Sequence, residues 1–319
     1  MTIGQLDRFG PDRCDTMSVV EARAWCRALA VSHQENFTVL SRFVPEDRRD
    51  DFAAVYAYCR WADDLGDETA DRERSRSLLQ WWRTELDRAY DGHPNHPVFV
   101  ALLPTIERFE LPREPFAHLI DAFVQDQEVS RYRTWDEVTE YCARSADPVG
   151  RLVLRLLDGP LDDEALAASD AICTGLQLAN HWQDVRRDLL ERDRIYLPQE
   201  LFPIEDFERR LRDSAEQGYA VDQTFLKSYR ESLRECVDRT WKRFDVGGAL
   251  LDRLDRTGRP IVWLFAAGGR HVLHRIEMWN YETCLHRPRV DTWTRGRLLF
   301  RAWWMKTVGG GGRMERRSA

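Results

Sequence analysis

The sequence predicts an all-α protein, and three observations carry that prediction. Apolar residues recur at three- and four-residue steps, as in Phe52, Val55, Tyr56, Cys59 and Ala62, the period of one helix face. Ser18 with Glu21, and Thr134 with Glu137, have the spacing of capping boxes, which satisfy the orphan N–H groups of a helix start. Strand-like alternation over more than four residues is hard to find.

The elements follow in order. Ser18 opens a helix that runs to about His33. Pro45, followed by Glu46 and Asp47, starts a second, since proline and acids suit a first turn. A helix over 71–91 is ended by DGHPNHP, and shorter ones fit 96–109 and 113–127. Thr134 leads into EVTEYCARSADPVGRLVLRLL, and a long helix over 162–190 follows DGPL. The stretch 191–203 reads as loop, and 204–217, 221–245, 259–286 and 291–307 read as helices. No linker rich in Gly, Pro or Ser divides them, so one domain is expected over 1–308. The GGGG at 309–312 opens a mobile tail, 309–319.

Composition narrows the function. Hydrophobic residues make up 43% and charged residues 32%, enough apolar material for a sizeable core. A net charge of -7, without a basic stripe interleaved with aromatics, argues against nucleic-acid binding. No run of about 18 apolar residues is present, and the first residues lack a signal-peptide pattern. Seven scattered cysteines without a C-x-x-C pair suggest reduced thiols and a cytoplasmic location. The segment GRLLFRAWWMKTV mixes basic and aromatic residues as an interfacial helix does, so peripheral membrane contact and docking on the protein body both stay open.

Two acidic rows carry the chemistry. In YCRWADDLGDE, Asp63 and Asp67 are four apart, with Asp64 beside them; in LANHWQDVRRD, Asn180, Asp184 and Asp188 form a second row. With 54 acids in 319 residues, about nine i,i+4 acidic pairs arise by chance, so one pair alone carries little. Each row, however, lies in a strongly apolar helix, with Tyr56 and Arg60 before the first and Gln177 before the second. Carboxylates and phosphate oxygens are the ligands Mg²⁺ takes, and several Mg²⁺ ions bridging a diphosphate would stabilise its departure. The cation left behind needs an apolar, water-poor pocket. A solvated acidic face is the competing reading.

YAYCRWADDLGDE taken with LQLANHWQDVRRDLLERDRIYLP resembles the squalene/phytoene synthase family, over roughly residues 25–290. The resemblance implies an isoprenoid-synthase helical bundle with a central cavity and two facing Asp-rich helices. It implies Mg²⁺ held by Asp63, Asp67, Asn180, Asp184 and Asp188, a prenyl diphosphate substrate (presqualene or farnesyl diphosphate), and neighbouring pathway enzymes as partners. Tyr56 and Arg60 match positions near the diphosphate; His33, Phe37, Asp64, Tyr141 and Gln177 match positions lining the site. YCARSADPVGRL matches the helix break that shapes the cavity.

The departures point to a branch. Where relatives read R-D-V-x-E-D, this chain reads QDVRRD, with Gln183 for arginine and Arg187 for glutamate. Asp193-Arg194 replaces Gly-Arg, and Gly269 stands where many relatives have tyrosine. These features resemble the hopanoid-pathway enzymes that convert presqualene diphosphate to hydroxysqualene by ionisation, rearrangement and water capture, with no NADPH consumed. Squalene or phytoene synthesis, and a non-catalytic lipid-binding bundle, are the alternatives. Gly269 either leaves room for a water near the cation or permits close helix packing. Trp61, Trp182 and Trp263 either line a lipid pocket or pack the core, and His271 with His274 is a surface or packing pair before it is a metal site.

Overall fold

The computed structural model describes residues 3–32, 43–69, 71–218, 222–289 and 292–308. The helices are α1 (Leu6–Phe9), α2 (Val19–Ser32), α3 (Arg49–Asp67), α4 (Arg72–Tyr90), α5 (Pro97–Phe109) and α6 (Glu114–Gln125). They continue as α7 (Trp135–Ser145), α8 (Asp147–Leu156), α9 (Asp163–Arg192), α10 (Phe207–Gln217), α11 (Gln223–Gly247), α12 (Gly258–Met278) and α13 (Thr292–Val308). Two short strands, β1 (Arg131–Tyr132) and β2 (Ile195–Pro198), pair in parallel. The all-α expectation holds; β2 and a 3-10 turn at Gln199–Leu201 occupy part of the stretch expected as loop.

The starts are made as the spacing predicts. Glu21 accepts from the Ser18 N–H at 2.9 Å while Ser18 Oγ accepts from the Glu21 N–H at 3.3 Å, a full capping box. Thr134 Oγ1 accepts from the Glu137 N–H at 3.1 Å, but Glu137 reaches back one residue further, to the Arg133 N–H at 2.7 Å. The helix expected over 259–286 ends at Met278, because Asn280 and Tyr281 turn into the left-handed region (φ 52° and 61°).

The chain forms two compact units, Met1–Glu128 with Pro148–Leu161, and Val129–Asp147 with Asp162–Ala319. Grouping by contact is not autonomous folding, so the expectation of one domain over 1–308 concerns a different property. In the first unit α3 is the hub, packed on α2, α4, α5 and α6. An aromatic core surrounds it: Trp61 stacks on Trp82 with centroids 5.5 Å apart, and Tyr58 donates to the Phe116 carbonyl at 2.7 Å. Buried Asp51 accepts from Thr105 (2.8 Å), Arg108 (2.8 Å) and Arg23 (3.2 Å), tying α2, α3 and α5 together.

In the second unit α9 is the hub, packed on α7, α10, α11, α12 and β2. Trp182 is fully buried and its Nε1–H donates to Thr240 Oγ1 at 2.8 Å. Trp263 is 3% exposed, beneath the Arg301 guanidinium. Trp61, Trp182 and Trp263 are thus core residues. Among the described residues no helix is long and apolar enough to cross a membrane.

Candidate functional site

The first acidic row sits at the C-terminal end of α3. Asp64 is fully buried and pairs with Arg60 Nη2, which also lies 3.5 Å from Glu68; Arg60 Nη1 is 3.3 Å from Asp63. A hub helix is apolar on most sides, so a charge placed on it is desolvated and must find a partner within reach. The i,i+3 and i,i+4 spacings supply that partner. Burial works against the Arg60 charge, but Asp64 and Asp63 outweigh it and hold the guanidinium above its ordinary value. Tyr56, one turn earlier and half-buried, has its hydroxyl pushed up by burial, with Arg60 opposing and Asp64 adding. Asp67 ends the helix and is partly exposed. His33 and Phe37 lie outside the described residues.

The second row lies on α9. Asp184 and Asp188 are 4% and 6% exposed, one turn apart, whereas Asn180 is exposed and Gln177 intermediate. Arg187 Nη2 is 2.7 Å from Asp184 Oδ2 and 3.3 Å from Asp188 Oδ1, so one cationic nitrogen is shared by both carboxylates. Arg192 reaches Asp188 at 3.5 Å, and Arg287 pairs with both oxygens of Asp184. Burial pushes Asp188 up to about 6, against the pull of Arg187 and Arg192 and with a further push from Asp184. Arg186 points elsewhere, donating to the Ala215 carbonyl at 2.8 Å.

Beside this row is an aromatic group. Tyr141 is 2% exposed, with ring centroids 5.7 Å from Tyr132, 5.4 Å from Tyr196 and 5.8 Å from His181. His181 stacks on Tyr196 at 3.8 Å, and burial, with Arg187 and Arg194 adding, lowers it to about 3. Gly269 is enclosed: a Cβ there would lie 2.6 Å from Phe244 Cζ and 2.7 Å from Leu176 Cδ2. Side chains fill the space beside it, which favours close helix packing, of the two readings, over room for a water. His271 and His274 have ring centroids 6.2 Å apart, and His274 lies 3.6 Å from Glu277.

Three participants were not legible in the sequence. Arg287 meets Asp184 across 103 residues, and Gln183 Nε2 donates to the Pro288 carbonyl across 105, so both lack a local pattern. Tyr196 lies in the stretch read as loop, and no periodicity marks it.

Among the described residues no three His, Cys, Asp or Glu gather to hold a metal alone. Mg²⁺ does not ask for that, because phosphate oxygens and water complete its octahedron around one or two carboxylates. Asp184 and Asp188 fit this demand: both are hard oxygen donors, and both already converge on one positive nitrogen. The arginines now balance charge that a divalent cation would balance when bound.

A phytoene synthase of Thermus thermophilus is 31% identical over 279 residues, 85% of this chain and 89% of that protein. A hydroxysqualene synthase of Sinorhizobium fredii is 34% identical over 177 residues, 54% of this chain and 58% of that protein. The crystal structure of squalene synthase HpnC from Alicyclobacillus acidocaldarius superposes with a TM-score of 0.71 at 40% identity, over 82% of this chain and 95% of that one. The fold is that of the helical isoprenoid synthases. Since the family model described as squalene/phytoene synthase matches residues 30–295, across both acidic rows, the chain belongs to the squalene/phytoene synthase family.

Proposed function

We propose that this chain converts presqualene diphosphate to hydroxysqualene in a Mg²⁺-dependent reaction. The observation that carries the reading is the convergence of buried Asp184 and Asp188 on a single cationic nitrogen of Arg187. Such a cluster suits a substrate that brings its own negative charge together with divalent cations. Bound Mg²⁺ supplies Lewis acidity to the leaving diphosphate. Asp184 and Asp188 would hold the metal, with Asn180 completing their row. The resemblance gives Asp63 and Asp67 of α3 the same part. Arg187 and Arg60 offer guanidinium N–H donors, which match diphosphate oxygens in pairs.

The carbon–oxygen bond to diphosphate breaks and its electron pair leaves with the diphosphate. The carbocation rearranges, water bonds to it, and the bound water loses a proton. No hydride is needed, so NADPH takes no part. Support for this branch comes from the 34% identity to a hydroxysqualene synthase over 54% of this chain. The departures Gln183 and Arg187 support it too.

A second reading is head-to-head joining of two prenyl diphosphates, of the phytoene synthase type. The Thermus thermophilus phytoene synthase favours it, because that match runs over 85% of this chain rather than half. Incubation of the purified chain with Mg²⁺ and presqualene, farnesyl or geranylgeranyl diphosphate, with and without NADPH, separates the two. Hydroxysqualene from presqualene diphosphate without NADPH is the expected product. Phytoene from geranylgeranyl diphosphate alone would replace the first reading by the second.

A further inference from the structure

The strongest unexplained feature of the surface is α13. Its Ala302 and Met305 are buried, at 0% and 5% exposure, against the body of its unit, where it packs on α12. The rest of the helix is turned outward: Trp293 is 84% exposed, Phe300 62%, Trp303 51% and Trp304 48%. Among the described residues Trp279 is the one other Trp or Phe exposed to this degree, so the exposed aromatics concentrate on one helix. Trp293, Gly296, Arg297, Phe300, Arg301 and Trp304 line a shallow open groove along it. These positions follow helical spacing and make a single stripe.

The charge pattern says what covers the stripe. Thr292–Val308 contains Arg295, Arg297, Arg301 and Lys306 and no acid. From His286 to the end the sequence carries nine Lys or Arg against two acids, in a chain whose net charge is -7. A two-fold pairing of copies through this face would bring two sets of cations together. An aromatic stripe flanked by arginines instead matches the boundary of an anionic bilayer. There indole and phenyl rings sit at headgroup depth and guanidinium groups reach phosphate.

We infer that α13 is a monotopic membrane-docking helix, which lays its Trp293–Phe300–Trp304 face on an anionic lipid surface. At 17 residues it lies along the surface and does not span. This role goes beyond the reaction proposed above and does not depend on it.

The test is sedimentation of the full chain with vesicles of phosphatidylcholine, alone or with phosphatidylglycerol added, at low and raised salt. Binding is expected to the anionic vesicles, weakened by salt. Arg295→Glu with Arg297→Glu, and separately Phe300→Ser with Trp304→Ser, are each expected to weaken it roughly tenfold or more. Trp279→Ser should leave it unchanged. Both double variants change solvent-facing positions, and their thermal unfolding is compared with the parent chain. The salt dependence of the parent needs no variant at all. Equal binding to neutral and anionic vesicles, or none to either, would overturn the assignment. So would a concentration-dependent dimer that Phe300→Ser with Trp304→Ser dissolves, which would give the face to a second copy. The assay contains no substrate, so its failure leaves the proposed reaction untouched.

Discussion

Asp188 concentrates the proposed chemistry in one residue. Its carboxylate is nearly buried, shares Arg187 with Asp184, and is pushed up to about 6 by burial. Asp188→Asn keeps the shape and removes the charge. Product formation in Mg²⁺ should fall on the order of 100-fold or more if this oxygen holds a metal against the diphosphate. The metal-free variant should unfold no earlier than the parent, because burial already disfavours the ionised form. Parent-level turnover would remove Asp188 from the mechanism. Gly269 makes a contrasting residue-scale case. Since Phe244 and Leu176 occupy the space a Cβ would need, Gly269→Tyr should lower stability by about 1–3 kcal/mol through overpacking. Denaturant unfolding reads this, and an unchanged midpoint would mean the site has room after all.

At the scale of elements, the end of α9 shows what sequence reading reaches and where it stops. The helix itself, its acidic row and its extent were legible, because apolar periodicity is a local signal. Its termination is visible only in space. Asp193 takes the left-handed cap position (φ 53°), its N–H returning to the Leu189 carbonyl and the Arg194 N–H to that of Asp188, where resemblance to the family leads one to expect glycine. Arg131 (3.0 Å) and Arg212 hold its carboxylate and, against burial, keep it below its ordinary value. Those partners lie on β1 and α10, which no spacing rule connects to α9. The same limit hid Arg287, Pro288 and Tyr196, whereas Arg60 with Asp63 and Asp64 could be read directly from i,i+3 and i,i+4 spacing. Asp193→Ala and Asp193→Gly both lose the arginine pairs, but only alanine keeps the left-handed penalty. Glycine should therefore be the more stable variant, by about 1 kcal/mol in denaturant unfolding. Equal stabilities would show that the cap is not strained.

At the scale of the whole molecule, each unit carries among its described residues one histidine buried without charge, and the two units should respond differently to acid. His96 in the first is fully buried among Trp61, Trp82 and Phe99, and burial lowers it well below 6.5. His181 in the second is lowered to about 3. In both cases the unfolded chain binds the proton more readily than the folded one. The stability each contributes is present above pH ~6.5 and is lost as pH falls from there towards the folded value. The loss is about 1.4 kcal/mol per pH unit for each histidine. Asp188 acts in the opposite sense. Its folded value is raised to about 6 from 3.8, so the second unit gains stability as pH falls through that interval. The two effects nearly cancel in the second unit and leave the first exposed. Hydrogen exchange between pH ~7 and pH ~5, corrected for its intrinsic pH dependence, should show protection falling in α3 and α5 while α9 and α11 hold. His96→Asn keeps an acceptor for the Val98 N–H, which His96 Nδ1 now supplies at 3.2 Å, and should flatten the loss in the first unit. Parallel loss in both units, unmoved by His96→Asn, would mean that acid acts through the overall charge rather than through these buried rings.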